Sequence, residues 1–204
     1  MMRVKICGIR RPEDARLAAE LGASAIGFIF WPESPRYIEP LAARRIVEQL
    51  PPFVTPVGVF VNAPRNAVLA AVRLARLGAA QLHGDERVEE YVRLPVRVIK
   101  AIALRDADDG EAALAVPASV TVLLDFFDPQ KRGGTGQAID WDVAARVARE
   151  RPVVLSGGLH AGNVAAAIAA VSPSGIDVSS GVEEAPGRKD PAKLRALFAA
   201  LPRS

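Results

Sequence analysis

Short β-branched or apolar runs alternate along this chain with amphipathic stretches rich in Ala, Leu and Arg. The apolar runs predict strands at 3–7, 24–30, 55–61, 79–83, 96–102, 119–125, 152–156 and 175–179. The amphipathic stretches predict helices at 12–21, 40–49, 64–76, 86–91, 108–115, 140–149, 161–170 and 190–200. Several boundaries carry chemical signals. Pro12 opens a first turn with Glu13 and Asp14 behind it. Asp190 precedes Pro191 as an N-cap would, and Gly22 and Gly78 follow helical stretches where a C-cap is wanted. Eight strand-then-helix units in 204 residues predict an α/β fold, a single-domain (β/α)8 TIM barrel over residues 1–204. An open doubly wound sheet is the other arrangement of such units, but no Gly-x-Gly-x-x-Gly follows the first strand.

A barrel makes demands on each strand. Side chains alternate between the barrel interior and the helix layer, and chemistry collects at the C-terminal strand ends. If Val4 and Ile6 face the helices, Lys5 and Cys7 point inward. By the same alternation Gln81 and His83 share a face, Asp177 points in between Ile176 and Val178, and Asp125 closes the apolar run "VTVLLD". Polar groups therefore gather at the top of the barrel interior, where a buried charge must be paired or used.

Composition narrows the function classes. The net charge is +3, and the arginines are scattered, often beside acids, with no basic block interleaved with aromatics. That argues against a nucleic-acid binder and suits a small anionic ligand. No apolar run reaches the roughly 18 residues of a membrane span. The start "MMRVKICGIR" lacks the apolar core of a signal peptide. One cysteine forms no internal disulfide, and no Cys/His cluster has metal-ligand spacing. The expectation is a soluble cytoplasmic protein.

Several residues and motifs carry candidate chemistry. Most free cysteines are small buried hydrophobes. Cys7, inward-facing at a strand end and followed by Gly8, is placed instead as a reactive thiol. A base would need thiolate, which a neighbouring cation favours; Arg36 and Lys5 are the candidates. Asp125 is costly at the end of an apolar strand unless it has a task or pairs with Lys5. Desolvation there would suit a general acid. "SGGL" and "SSGVE", at the tops of strands seven and eight, offer Gly157, Gly158, Ser180 and Gly181 to a phosphate, the usual barrel position for one. Arg36, in the loop after strand two, is either a solvated loop residue or a fork for a carboxylate. His83 is either a satisfied rim residue or part of the site. "GGTGQAIDW" lacks the Lys-Ser/Thr ending of a nucleotide-binding loop and reads as a mobile active-site loop.

The segments "KICGI", "GFIFWPESPRYI", "VGVFVN", "QLHGDE", "LLD", "GGTGQAIDW", "LSGGL" and "GIDVSSGVE" follow one another over nearly the whole chain. In this the sequence resembles the phosphoribosylanthranilate isomerases. The resemblance implies a cofactor-free barrel, monomeric or homodimeric, that rearranges N-(5-phosphoribosyl)anthranilate in tryptophan biosynthesis. It implies Cys7 as general base, Asp125 as general acid and Arg36 on the anthranilate carboxylate. His83 and Asp177 would line the pocket, and the two glycine motifs would hold the phosphate. Three alternatives stay open. A histidine-pathway isomerase would have an aspartate in place of Cys7 and a two-fold internal repeat. An indole-glycerol-phosphate synthase would need a catalytic lysine, for which Lys100 is the only candidate. A barrel that binds an anionic metabolite without turnover is the third.

Overall fold

The computed structural model describes residues 2–126 and 141–202. In chain order the barrel elements are β1 (Arg3–Ile6), α1 (Pro12–Glu20), β2 (Ala25–Ile29), α2 (Pro40–Val47), β3 (Thr55–Phe60), α3 (Arg65–Ala75) and β4 (Ala79–Leu82). After a 3₁₀ turn at Val88–Glu90 come β5 (Arg97–Leu104), α4 (Ala107–Ala115), β6 (Thr121–Phe126), α5 (Trp141–Glu150), β7 (Val153–Ser156), α6 (Val164–Val171) and β8 (Gly175–Val178). A second 3₁₀ turn at Ser180–Val182 leads into a short hairpin, β9 (Glu183–Ala185) and β10 (Arg188–Lys189). Helix α7 (Pro191–Ala199) follows. All neighbouring barrel strands are parallel, and β1 bonds to β8 as well as to β2, which closes the sheet. That closure removes the open-sheet alternative.

The alternation sorts the side chains as expected. Val4, Ile6, Ala80, Leu82, Ile176 and Val178 are at most 1 % exposed and belong to the core between barrel and helices. Many helix positions facing them are alanines (Ala15, Ala18, Ala43, Ala75, Ala144 and Ala167), which let the helices sit close to the barrel. Lys5, Cys7, Gln81 and Asp177 are buried on the other side of the strands. Cys7 and His83 lie one residue beyond β1 and β4, yet their amides extend the ladder, to Val178 O at 2.9 Å and Phe60 O at 2.8 Å. Among the described residues no helix is long and apolar enough to cross a membrane.

Two local expectations fail for physical reasons. The helix expected at 86–91 is only the 3₁₀ turn Val88–Glu90. The Glu86 carboxylate is turned back into the loop, accepting from Asn62 N at 2.7 Å, Gly84 N at 2.9 Å and Lys100 Nζ at 3.1 Å. Pro95 follows too soon for a longer helix. Gly78 does not cap α3; Arg76 takes the left-handed position, with φ 54°. The amide of Gly78 instead bonds Pro56 O at 2.9 Å as the chain enters β4. The cap proposed at Asp190 is present, accepting from Ala192 N and Lys193 N. Gly22, with φ 105°, follows α1 as expected of a cap.

Candidate active site

A cavity of about 320 Å³ opens at the C-terminal ends of the strands. Nine of the residues singled out above line it: Cys7, Arg36, His83, Asp125, Gly157, Gly158, Asp177, Ser180 and Gly181. A larger hollow of about 1080 Å³ lies at the opposite mouth, walled by residues such as Arg3, Thr55, Arg97 and Thr121. None of the nine residues touches it, and the N-terminal face of a barrel is where stability rather than chemistry resides.

The thiol sits deep in the smaller cavity, with Cys7 6 % exposed. Beside it in the barrel, Lys5 Nζ donates to Asp177 Oδ2 at 2.8 Å, with both side chains buried. The register Lys5↔Asp177 between β1 and β8 makes this pair adjacent. Burial pushes the Cys7 thiol above its ordinary value, the Lys5 charge pulls it back in part, and the Asp177 charge works against it. Burial also acts to lower Lys5, but Asp177 and Cys7 outweigh it and hold the ammonium above the usual lysine value. Of the two cations proposed for the thiol, Lys5 takes the place; Arg36 is turned elsewhere. Asp177 Oδ1 is buried without a protein partner among the described residues, an acceptor left open to a ligand hydroxyl.

Asp125 is the penultimate residue of β6, three strands round the barrel from β1 through β7 and β8. It does not pair with Lys5. His83 Nε2 lies 3.2 Å from Asp125 Oδ2, and Gln81 Nε2 lies 2.9 Å from His83 Nδ1. The hydrogen-bond pattern assigns the tautomer: Gln81 donates to Nδ1, so Nε2 carries the proton and faces Asp125. The apolar burial expected of Asp125 is not found, since 31 % of its side chain reaches solvent. Its specific neighbour is an imidazole rather than a hydrocarbon wall.

The phosphate motifs meet across the rim. Gly157 and Gly158 both have positive φ, 96° and 61°, a conformation that side chains resist. At Gly181 an added Cβ would overlap the Leu159 carbonyl oxygen, so only glycine lets the two loops approach. Among the described residues no protein acceptor takes the backbone N–H of Gly157, Gly158, Ser180 or Gly181. Asn163 Nδ2 holds the first loop through Gly158 O at 3.1 Å.

Arg36 is not a free fork. Its Nε lies 3.0 Å and 3.1 Å from the two Glu183 carboxylate oxygens, and its Nη2 lies 2.6 Å from Oε2. Lys189, 0 % exposed, donates to Glu183 Oε1 at 2.9 Å and to Ser179 O at 3.1 Å. Burial acts to raise the Glu183 carboxyl, but the hydrogen bonds from Arg36 and Lys189 outweigh it and hold it below the ordinary range. Sequence reading missed both partners. The available signal was "EEAPGRK", whose Pro-Gly centre marks a hairpin that brings 183 and 189 together. Lys100 bonds Gly84 O and Glu86, away from the cavity. The segment "GGTGQAID" lies outside the described residues.

A family model described as N-(5'phosphoribosyl)anthranilate (PRA) isomerase matches residues 4–200. The chain is 49 % identical over 199 residues to the N-(5'-phosphoribosyl)anthranilate isomerase of Citrifermentans bemidjiense, covering 98 % of this chain and 96 % of that one. The crystal structure of phosphoribosyl anthranilate isomerase from Thermotoga maritima superposes with a TM-score of 0.91 at 44 % identity, covering 98 % of each chain. A phosphoribosyl anthranilate isomerase crystallised with reduced 1-(o-carboxyphenylamino)-1-deoxyribulose 5-phosphate gives 0.88 at 42 %, again over 98 % of each chain. With a closed barrel and a buried thiol, a carboxylate and a glycine-lined rim in one cavity, these matches show that the chain belongs to the phosphoribosylanthranilate isomerase family.

Proposed function

We propose that the cavity carries out the Amadori rearrangement of N-(5-phosphoribosyl)anthranilate to 1-(2-carboxyphenylamino)-1-deoxyribulose 5-phosphate, with Cys7 as base and Asp125 as acid. The observation that carries this reading is the meeting of all nine residues in one cavity, thiol and carboxylate on separate walls. Asp125 gives a proton to the ribose ring oxygen. The anilino nitrogen lone pair opens the ring to a protonated Schiff base, which acidifies the hydrogen on C2. Cys7 thiolate takes that proton, and the enolamine tautomerises to the ketone. His83 fixes Asp125 through the contact described above, and the Lys5 charge favours the thiolate. The open amides of Gly157, Gly158, Ser180 and Gly181 receive the phosphate, and Arg36 the aryl carboxylate. Holding both ends restricts the flexible open-chain intermediate to reactive poses.

The domain reading is one catalytic barrel over residues 1–204, since every site residue comes from the same closed sheet or its loops. A single copy supplies all nine, so monomer and homodimer serve equally well. A reduced thiol as base agrees with the expected cytoplasmic location. The histidine-pathway reading is not favoured, because a thiol stands where that chemistry places a carboxylate. Lys100, tied to Glu86, is unavailable to a synthase. The test is to generate the substrate in situ from anthranilate and phosphoribosyl pyrophosphate with a separate transferase. Loss of anthranilate fluorescence on adding the protein is expected. A folded protein that produces none would overturn the reading.

A further inference from the structure

Of the Arg36–Glu183–Lys189 cluster only Arg36 enters the chemistry above, yet the cluster is more elaborate than a loop anchor requires. Glu183 is 4 % exposed at its side chain and accepts from Arg36, Lys189 Nζ and, at 3.2 Å, Gly187 N. A guanidinium has two edges that can grip a carboxylate in parallel, Nε with Nη2 and Nη1 with Nη2. Glu183 holds the first edge. Among the described residues Nη1 has no partner, so the second edge is left for the cavity that Arg36 lines. The stem is confined as well: a Cβ at Gly8 would lie 2.8 Å from Arg36 Cδ and 3.2 Å from Ser179 Oγ. Arg36 therefore passes over the residue after Cys7 and is tied to the chain just beyond Ser180 and Gly181.

Charge makes the third member necessary. Arg36 and Glu183 alone sum to zero, and a neutral pair would offer little to an anion. Lys189 restores a net charge of +1 to the ionised trio. It is buried behind Glu183, where no substrate reaches it. We propose that Glu183 and Lys189 are positioning residues for aryl-carboxylate recognition: Glu183 aims the outer edge of Arg36 at the substrate, and Lys189 keeps the trio cationic. Because Glu183 follows the phosphate loop directly, the same carboxylate sets the distance between the two substrate clamps. The proposal rests on the reading of Arg36 as the carboxylate fork.

The experiment measures binding of two ligands by titration calorimetry. One is reduced 1-(o-carboxyphenylamino)-1-deoxyribulose 5-phosphate; the other is its phenylamino counterpart without the carboxylate. Glu183→Gln and Lys189→Met are each expected to weaken the first ligand by about tenfold to a hundredfold. The second should change by less than about threefold. In an Arg36→Met background the Glu183→Gln change should cost the first ligand nothing further. Equal losses for both ligands, or no loss for either, overturn the proposal. If Arg36→Met itself fails to discriminate between the ligands, the fork reading has failed, and that outcome is separate from the others. Melting curves report folding. Should Glu183→Gln not fold, Lys189→Met alone decides by the same two-ligand comparison. Should neither fold, Glu183→Asp decides: it keeps the charge but draws the carboxylate back from Arg36, and must weaken only the carboxylated ligand.

Discussion

Cys7 is held between opposing influences. Burial and the Asp177 charge raise the thiol, while Lys5 lowers it; Lys189 adds a weaker pull in the same direction as Lys5. Because the thiol lies above its ordinary value in the free protein, the thiolate fraction should climb with pH across the neutral and alkaline range, with about unit slope below the thiol's midpoint. Lys5→Met should move that rise to higher pH and cut the neutral rate by about tenfold or more, since it also leaves the Asp177 charge unpaired. Cys7 is the only cysteine, so thiolate absorbance in the same variant reports the shift directly. A neutral rate and a thiolate titration that do not move would contradict the role of Lys5. At this scale the sequence was informative where alternation applied. Lys5, Cys7, Gln81 and Asp177 could all be placed inward from their apolar neighbours. The His83–Asp125 contact was not legible, because it joins the tops of β4 and β6, and no pattern within either strand encodes the distance between them.

Among the elements, strand ends and glycine loops were read well and the helix expected at 86–91 was not. Periodicity at 86–91 is real but short. It is overridden by a buried carboxylate that serves the loop, which no local propensity reports. The C-terminus of α3 shows a related failure: Arg76 adopts the left-handed conformation although Gly78 stands two residues later. The meeting of the β7 and β8 loops makes a sharper claim. Gly181→Ala places a methyl group against the Leu159 carbonyl and forces the loops apart. The cost should be about 1–3 kcal/mol in urea unfolding. Inhibition by inorganic phosphate should weaken at the same time. An alanine variant with unchanged stability and phosphate affinity would show that the two loops do not form one site.

For the whole molecule, closure of the sheet converts eight separate strand patterns into one cavity. That is why nine residues spread from Cys7 to Gly181, named from strand position and family resemblance together, meet in one place. What stayed hidden were the buried pairs across that closure, Lys5–Asp177 and Arg36–Glu183–Lys189, which depend on register and hairpin geometry. The second of these gives the fold an acid limit. The Glu183 carboxyl is held below its ordinary 4.5 in the folded state. Its contribution is therefore complete above the unfolded value and is lost as pH falls from there through the folded one. Urea midpoints should fall below about pH 4.5, and by less in Glu183→Gln than in the parent. An equal fall in both would assign the acid limit to other groups. The most direct test of the account is the turnover number of Cys7→Ala beside wild type, at saturating N-(5-phosphoribosyl)anthranilate. A thiol acting as base predicts a loss of about a hundredfold to ten-thousandfold with the melting temperature little changed. A turnover number within a few-fold of wild type would contradict it and return Cys7 to the barrel core.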